Sequence, residues 1–185
     1  HVVADNLVTR KLCGRIPIGY GMALYRFRKM GKVQHLLHQL KYKRRPIIGK
    51  VLGNKYGAIL KRSSLCAHFD LIVPVPLHVS KLRQRGYNQS DTFAQGLSEA
   101  MDIPWSDKEI IRTRNTPTQT DKGRLDRLEN VENVFQAVQD HNIGGQRVLL
   151  VDDIITTGAT VESCSLALLE AGAKAIHVAA IAVAE

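Results

Sequence analysis

The chain is 185 residues long, 44% hydrophobic and 23% charged, with 26 Lys+Arg against 17 Asp+Glu and a formal net charge of +9. That is the length of one ordinary domain with a small appendage. Its near-average apolar content, with no run approaching the about 18 apolar residues that span a bilayer, excludes disorder, collagen-like repeats and an integral membrane protein. Three widely separated cysteines, Cys13, Cys66 and Cys164, form neither a disulfide framework nor a CxxC metal spacing. With no apolar region after a charged start to act as a secretory signal, the cytoplasm is the expected compartment. Charge is unevenly placed: residues 1–62 carry 15 Lys+Arg and one acid, Asp5, whereas 63–185 carry 11 against 16. A basic front of this kind favours polyanions, nucleic acid or phosphorylated substrates, as partners.

In chain order, Val33, Leu36, Leu37 and Leu40 follow the i, i+3, i+4, i+7 spacing of one helical stripe, which predicts an amphipathic helix from Gly31 to Lys43. His35 and His38 lie one turn apart on it, and with no further ligand in view they read as surface histidines. Pro46 starts a second helix reaching about Lys61, although Gly53 and Gly57 weaken it. Residues 1–62 are thus expected as a basic, largely helical segment in front of a core over 63–185. The run Asp70-Leu-Ile-Val-Pro-Val-Pro reads as a buried strand. A loop from Leu77 to Arg85 and a helix from about Asn88 to Met101 are expected to follow it. Two β-like runs, Glu109–Thr113 and Val131–Phe135, flank a long polar segment of the kind that is usually disordered or functional. Arg147–Val151 is then a strand, Thr160–Ala171 a helix ended by Gly172, and Ala175–Ala184 a second apolar strand. Strand, helix and strand in alternation give an α/β fold with a central parallel sheet flanked by helices.

The segment Val148-Leu-Leu-Val-Asp-Asp-Ile-Ile-Thr-Thr-Gly-Ala-Thr160 is the most informative. A buried strand brings Asp152 and Asp153 to its carboxyl end, and a hydroxyl-rich loop then opens a helix. Ligands of open α/β sheets bind at the carboxyl ends of strands, and a helix N-terminus with free N–H groups suits phosphate. Thr156, Thr157 and Thr160 offer hydroxyls to phosphate oxygens, while Gly158 allows close approach of the backbone. Two adjacent carboxylates repel phosphate and instead accept bonds from sugar hydroxyls or engage hydrated Mg²⁺. Merely capping the helix would need one acid, not two followed by a five-residue loop. No Gly-x-x-x-x-Gly-Lys-Ser/Thr sequence is present, so a P-loop is excluded.

This segment resembles the signature of type I phosphoribosyltransferases, which bind 5-phosphoribosyl 1-diphosphate (PRPP). The narrower resemblance is to the ComF/GntX family, carried by Pro74-Val-Pro-Leu-His, Lys81–Gln89, Lys41 with Tyr42, and the spaced Arg112, Gln119, Arg127, Asn130, Asn133 and Phe135. The C-terminal pattern is also similar to the phosphoribosyl-transfer half of amidophosphoribosyltransferases, here without a glutaminase half. ComF-like chains typically begin with a cysteine-rich zinc ribbon, and this sequence starts about where the ribbon would end.

The resemblance implies a small hood and a flexible loop on the parallel-sheet core, with Asp152 and Asp153 at the ribose hydroxyls and the Mg²⁺. Thr156, Thr157, Gly158, Ala159 and Thr160 would wrap the 5′-phosphate, and Lys81, Arg83 and Arg85 would face pyrophosphate. Arg114, Gln119, Lys122, Arg124 and Arg127 belong to the loop expected to close over the site. The implied reaction is Mg²⁺-dependent displacement of pyrophosphate from C1 of PRPP by a nitrogen nucleophile, with the acceptor open. ComF-like proteins are associated with DNA uptake, so a second expectation is single-stranded DNA held by the basic helices through Lys41, Lys43, Arg44 and Arg45, without turnover. A homodimer is the commonest assembly for such folds.

Overall fold

In a computed structural model of the chain, the structure describes residues 5–63, 65–113, 134–138 and 143–185. The described elements are α1 (Leu7–Leu12), β1 (Gly21–Phe27), α2 (Lys32–Tyr42), α3 (Pro46–Arg62), a 3₁₀ turn (Leu65–His68), β2 (Leu71–Pro74), α4 (Val79–Arg85) and α5 (Gln89–Met101). They continue with β3 (Ile110–Arg112), β4 (Phe135–Ala137), β5 (Arg147–Ile155), α6 (Ala159–Glu170) and β6 (Ala175–Ala184). Strands β1, β6, β5 and β2 form, in that order, a wholly parallel sheet, and β3 and β4 pair antiparallel beside it.

Parity along β5 sorts the molecule into two cores. Val148 and Leu150 point to one face, where they meet α1 and α6 through Leu12, Cys164 and Leu168. Leu149 and Val151 point to the other, where Leu40, Tyr56, Phe93 and Leu97 come from α2, α3 and α5. A sheet covered on both faces explains why β5 and β6 read as near-continuous apolar runs. At the amino ends of the strands, Arg147 grips Asp70 at 2.6 and 2.9 Å, locking β5 to β2, and holds the Asp70 carboxyl down to about 2.

Strand β1 was not among the sequence-based elements. It pairs with β6 from Gly21↔Val178 to Phe27↔Ala184, so residues 1–62 supply an edge strand and three helices to the same layered body as 63–185. A second difference is α4, which occupies Val79–Arg85 where a loop was expected. It is seven residues long, buries no side chain, is N-capped by His78 and ends at Gly86 with φ +82°. With no apolar stripe to bury, it leaves no periodicity to read. Strand β5 also runs to Ile155, so the two acids lie within its final turns of pleat rather than beyond it.

The glycines that weaken α3 as a helix have a packing reason. A Cβ at Gly53 would collide with the Phe93 carbonyl oxygen and lie 2.8 Å from the Leu97 nitrogen. One at Gly96 would collide with the Lys50 carbonyl oxygen and lie 2.9 Å from the Gly53 Cα. Backbones α3 and α5 therefore touch, and neither can yield as a side chain would. Gly96→Ala should destabilise the fold by about 1–3 kcal/mol despite the better helix propensity of alanine, read as a lower midpoint of thermal or urea unfolding.

Candidate functional site

Strand β2 is followed by α4 and α5, after which Ser106 N–H donates to the Ile72 carbonyl at 3.0 Å and Ile72 N–H to that of Pro104 at 2.9 Å, on the outer side of β2. The chain steps outward there, whereas β5 and β6 lie inward. Strand order thus reverses between β2 and β5, and the crevice at their carboxyl ends is where ligands of such sheets bind. The loop after Pro74, the N-terminus of α5, and Asp152 and Asp153 all meet there.

Parity decides what each acid faces. Asp153 shares the side of Leu149 and Val151, toward α2, and there pairs with Lys41 Nζ at 2.9 Å, the two side chains being 10% and 21% exposed. Asp152 shares the other side, where Arg112 of β3 and Cys164 of α6 are its electrostatic neighbours. Its Oδ1 accepts the Asp153 N–H at 2.8 Å and the Ser90 hydroxyl at 3.2 Å. Burial first, then the neighbouring Asp153 carboxylate, raises the Asp152 carboxyl above its ordinary value, with Lys41 opposing. The pair is short of positive charge.

Next come Thr156, Thr157, Gly158, Ala159 and Thr160, which line a small concavity continuous with Asp152. Gly158 has φ +86° and a Cβ there would come within 2.9 Å of Leu12, so α1 seats the turn that starts α6. No side chain caps α6 from the Gly158 position, and among the described residues the Thr157 hydroxyl accepts the Ala159 N–H, at 3.4 Å. Arg15 pins the loop from outside, donating to the Thr157 carbonyl at 2.6 Å and pairing with Glu162 at 3.0 Å. An exposed, hydroxyl-lined helix N-terminus of this kind is suited to an anion.

Cations from several elements gather near the acids, Lys41 on Asp153 and Arg112 acting on Asp152. Burial depresses the Lys81 ammonium, and the positive charges of Arg112, Arg85 and Lys41 each press it the same way. Lys81 and Arg85 lie one turn apart on α4 and share a face. Arg83, expected with them, is exposed on the other side of that helix. Arg85 also donates to Gln89 at 2.7 Å and sits 5.5 Å over the Tyr42 ring. Arg112 stacks at 5.3 Å on Phe135 of β4. Arg114, Gln119, Lys122, Arg124, Arg127, Asn130 and Asn133 lie outside the described residues.

Sequence reasoning missed Ser90, Asn88, Arg15 and the role of Lys41. Asn88 caps α5 and ties it to β2, its Nδ2 donating to the Val75 carbonyl at 3.0 Å and to Asp91 at 2.5 Å. A signal existed, because Asn88 stands one residue before a helix, where a cap belongs. His35 and His38 are exposed, and no group of three metal-ligating side chains occurs among the described residues. A larger cavity, of about 420 Å³, opens elsewhere beside Cys13 and Ile16–Met22, where Asp5 and Arg10 are engaged with one another at 2.7 Å.

The crevice thus combines an exposed, hydroxyl-lined helix start, an acid pair at the end of β5 and cations that act on one another nearby. The phosphoribosyl transferase domain family matches residues 88–184, from the cap of α5 through β6. The chain belongs to that family. Competence protein F of Haemophilus influenzae is 40% identical over 110 residues, 59% of this chain and 48% of that protein. DNA utilization protein YhgH of Escherichia coli K12 is 35% identical over 146 residues, 77% of this chain and 63% of that protein. The chain therefore spans about half to two thirds of the length of these curated relatives. Among solved structures, glutamine phosphoribosylpyrophosphate amidotransferase from B. subtilis, complexed with ADP and GMP, matches with a TM-score of 0.52 at 25% identity, over 78% of this chain and 30% of that one. Fold and relatives agree with the ComF-like resemblance of the phosphoribosyltransferase domain. No helix among the described residues is long and apolar enough to cross a membrane.

Behind the crevice, burial raises Asp91 to about 7, Asp107 adds to the rise, and the Asn88 hydrogen bond opposes it. Folded Asp91 keeps its proton at a pH where the unfolded chain, at its ordinary 3.8, has lost it. Its effect on stability is therefore smallest below that value and grows more unfavourable as pH rises toward 7. Asp91→Asn removes this dependence: thermal unfolding should show the variant stabilised over the wild type at about pH 8, with the gain gone near pH 4.

Proposed function

We propose that the chain binds PRPP and transfers its phosphoribosyl group to a nitrogen nucleophile with release of pyrophosphate. The observation that carries this reading is the convergence at one strand-order reversal of Asp152, Asp153, the Thr156–Thr160 loop and the cations Lys81, Arg85 and Arg112. In this reading the loop and the start of α6 hold the 5′-phosphate, and the acid pair accepts bonds from the ribose hydroxyls. Lys81 and Arg85 face the diphosphate. The bond from C1 to the diphosphate oxygen breaks as the nucleophile's lone pair forms the new C1–N bond, and the electron pair leaves with pyrophosphate. Cations arranged before the reaction stabilise the charge that gathers on that leaving group. Arg112, stacked on Phe135, stands where the expected lid of Arg114, Gln119, Lys122, Arg124 and Arg127 begins.

The donor set fits Mg²⁺. Adjacent carboxylates deficient in positive charge suit a hard cation, which commonly takes one or two protein carboxylates and completes its shell with water and substrate phosphates. Asp152 and Asp153 would hold it, mostly through water, and it would supply further charge neutralisation for the diphosphate.

Calorimetric titration of PRPP with and without Mg²⁺ tests the reading. Wild-type protein should bind with Mg²⁺-enhanced affinity, and Asp152→Asn with Asp153→Asn should lose at least about tenfold, or 1.4 kcal/mol. Absence of PRPP heat from the wild type overturns it.

A second reading, single-stranded DNA binding without turnover, is favoured by the exposed Lys43, Arg44 and Arg45 between α2 and α3 and by the names of the relatives. Lys41, expected on that surface, is engaged by Asp153 instead. Charge reversal of Lys43, Arg44 and Arg45 should weaken binding of a labelled oligonucleotide and flatten its salt dependence, whereas the Asp152/Asp153 variant should bind like the wild type. Equal binding by the charge-reversed protein overturns this reading.

A further inference from the structure

The last three residues of α2 each reach the crevice by a different contact. The Leu40 carbonyl accepts the Tyr87 hydroxyl, Lys41 pairs with Asp153 at 2.9 Å, and the Tyr42 ring lies under Arg85 at 5.5 Å. Helix α2 is thus fastened to the α4–α5 junction on both sides of Lys41, and the ammonium is held where an incoming ligand must meet it.

Two demands then conflict at Asp153. Its carboxylate is 10% exposed and the Lys41 ammonium already occupies its Oδ1, so a cation that arrives at that oxygen shares or displaces the ammonium. Lysine is suited to displacement, because a compact charge on a flexible four-carbon stem can move between partners. The partners exist: Lys81, Arg85 and Arg112 already make the neighbouring wall attractive to a polyanion, and Lys41 is close enough to press on Lys81.

We propose that Lys41 is an exchangeable internal counter-ion: it occupies the cation position on Asp153 in the empty site and turns to the diphosphate when a divalent cation and that polyanion enter together. This rests on the PRPP reading of the same crevice and adds a binding rule to it. A divalent cation alone competes with a tethered ammonium and binds weakly, whereas cation and diphosphate together bind cooperatively. Lys41 is a positioning residue here, acting through Asp153 and the ligand's charge.

Titration with Mn²⁺ alone, with inorganic pyrophosphate alone, and with each in the presence of the other reads this directly, without turnover. Lys41→Met keeps the length of the side chain and the helix propensity, and Lys41→Arg keeps the charge. Lys41→Met should bind Mn²⁺ alone about tenfold more tightly than the wild type, while its gain in pyrophosphate affinity on adding Mn²⁺ shrinks by a similar factor. Lys41→Arg should stay near the wild type in Mn²⁺ affinity. Equal Mn²⁺ affinity, within about twofold, in all three folded proteins overturns the proposal. PRPP binding by the wild type is scored separately: its absence defeats the functional reading, whereas intact PRPP binding with Mn²⁺ affinity indifferent to Lys41 defeats only this inference.

Discussion

Two carboxylates in succession on a buried strand are a cost that the surrounding structure has to offset. Charge taken from water is unfavourable, and two like charges side by side make it more so. Because side chains alternate across a strand, Asp152 and Asp153 point to opposite sides, and Lys41 pairs directly with Asp153 while acting on Asp152 only through its field. Asp153 is served by Lys41 from the α2 side, and Asp152 by the Ser90 hydroxyl, with Arg112 in the background. Each acid thus draws a different element to the end of β5. That draws the segment before β2, the cap of α5 and the β3–β4 pair around one crevice.

The incompleteness of this compensation gives the site its chemistry. Burial and mutual repulsion leave Asp152 raised even with Lys41 nearby. A fully satisfied pair would be inert, whereas an under-neutralised one attracts cations and hydroxyl donors. The cation wall is under the opposite stress, for Lys81 is depressed by burial and by three like charges. An excess of negative charge beside an excess of positive charge, without direct pairing throughout, suits a ligand that carries hydroxyls at one place and a polyanion at the next.

What could be read in the sequence was what neighbours in the chain determine. Strands β5 and β6 are continuous apolar runs, α2 and α3 carry a stripe or a proline start, and the Asp152–Thr160 segment is contiguous, so local pattern suffices. Strand β1 was hidden because Gly21–Phe27 mixes small, basic and aromatic residues at a sheet edge, and its assignment depends on Val178–Ala184 at the far end of the chain. Helix α4 was hidden because none of its side chains is fully buried and no apolar stripe marks it. Lys41 sits in a run with Lys43, Arg44 and Arg45 and looks like another solvated cation. Only the packing of α2 separates it from them. The same holds for Ser90, whose partner Asp152 is brought close by the sheet and not by sequence.

The close contact of α3 with α5 has a bearing on the crevice that neither helix shows alone. With Gly53 against Gly96, the helix axes approach until backbones touch, which fixes where α5 lies on the sheet. The position of α5 fixes its N-terminus, where Asn88 bonds to the end of β2 and Ser90 to Asp152. Just before that terminus, the Tyr87 hydroxyl holds the Leu40 carbonyl, and Leu40 is itself fully buried in the same core. The reach of Lys41 to Asp153 is therefore set by a chain of rigid contacts that begins at two glycines well outside the site. A methyl group added there would have to be absorbed by shifting a helix, and the helix that shifts carries the residues that position the acid pair.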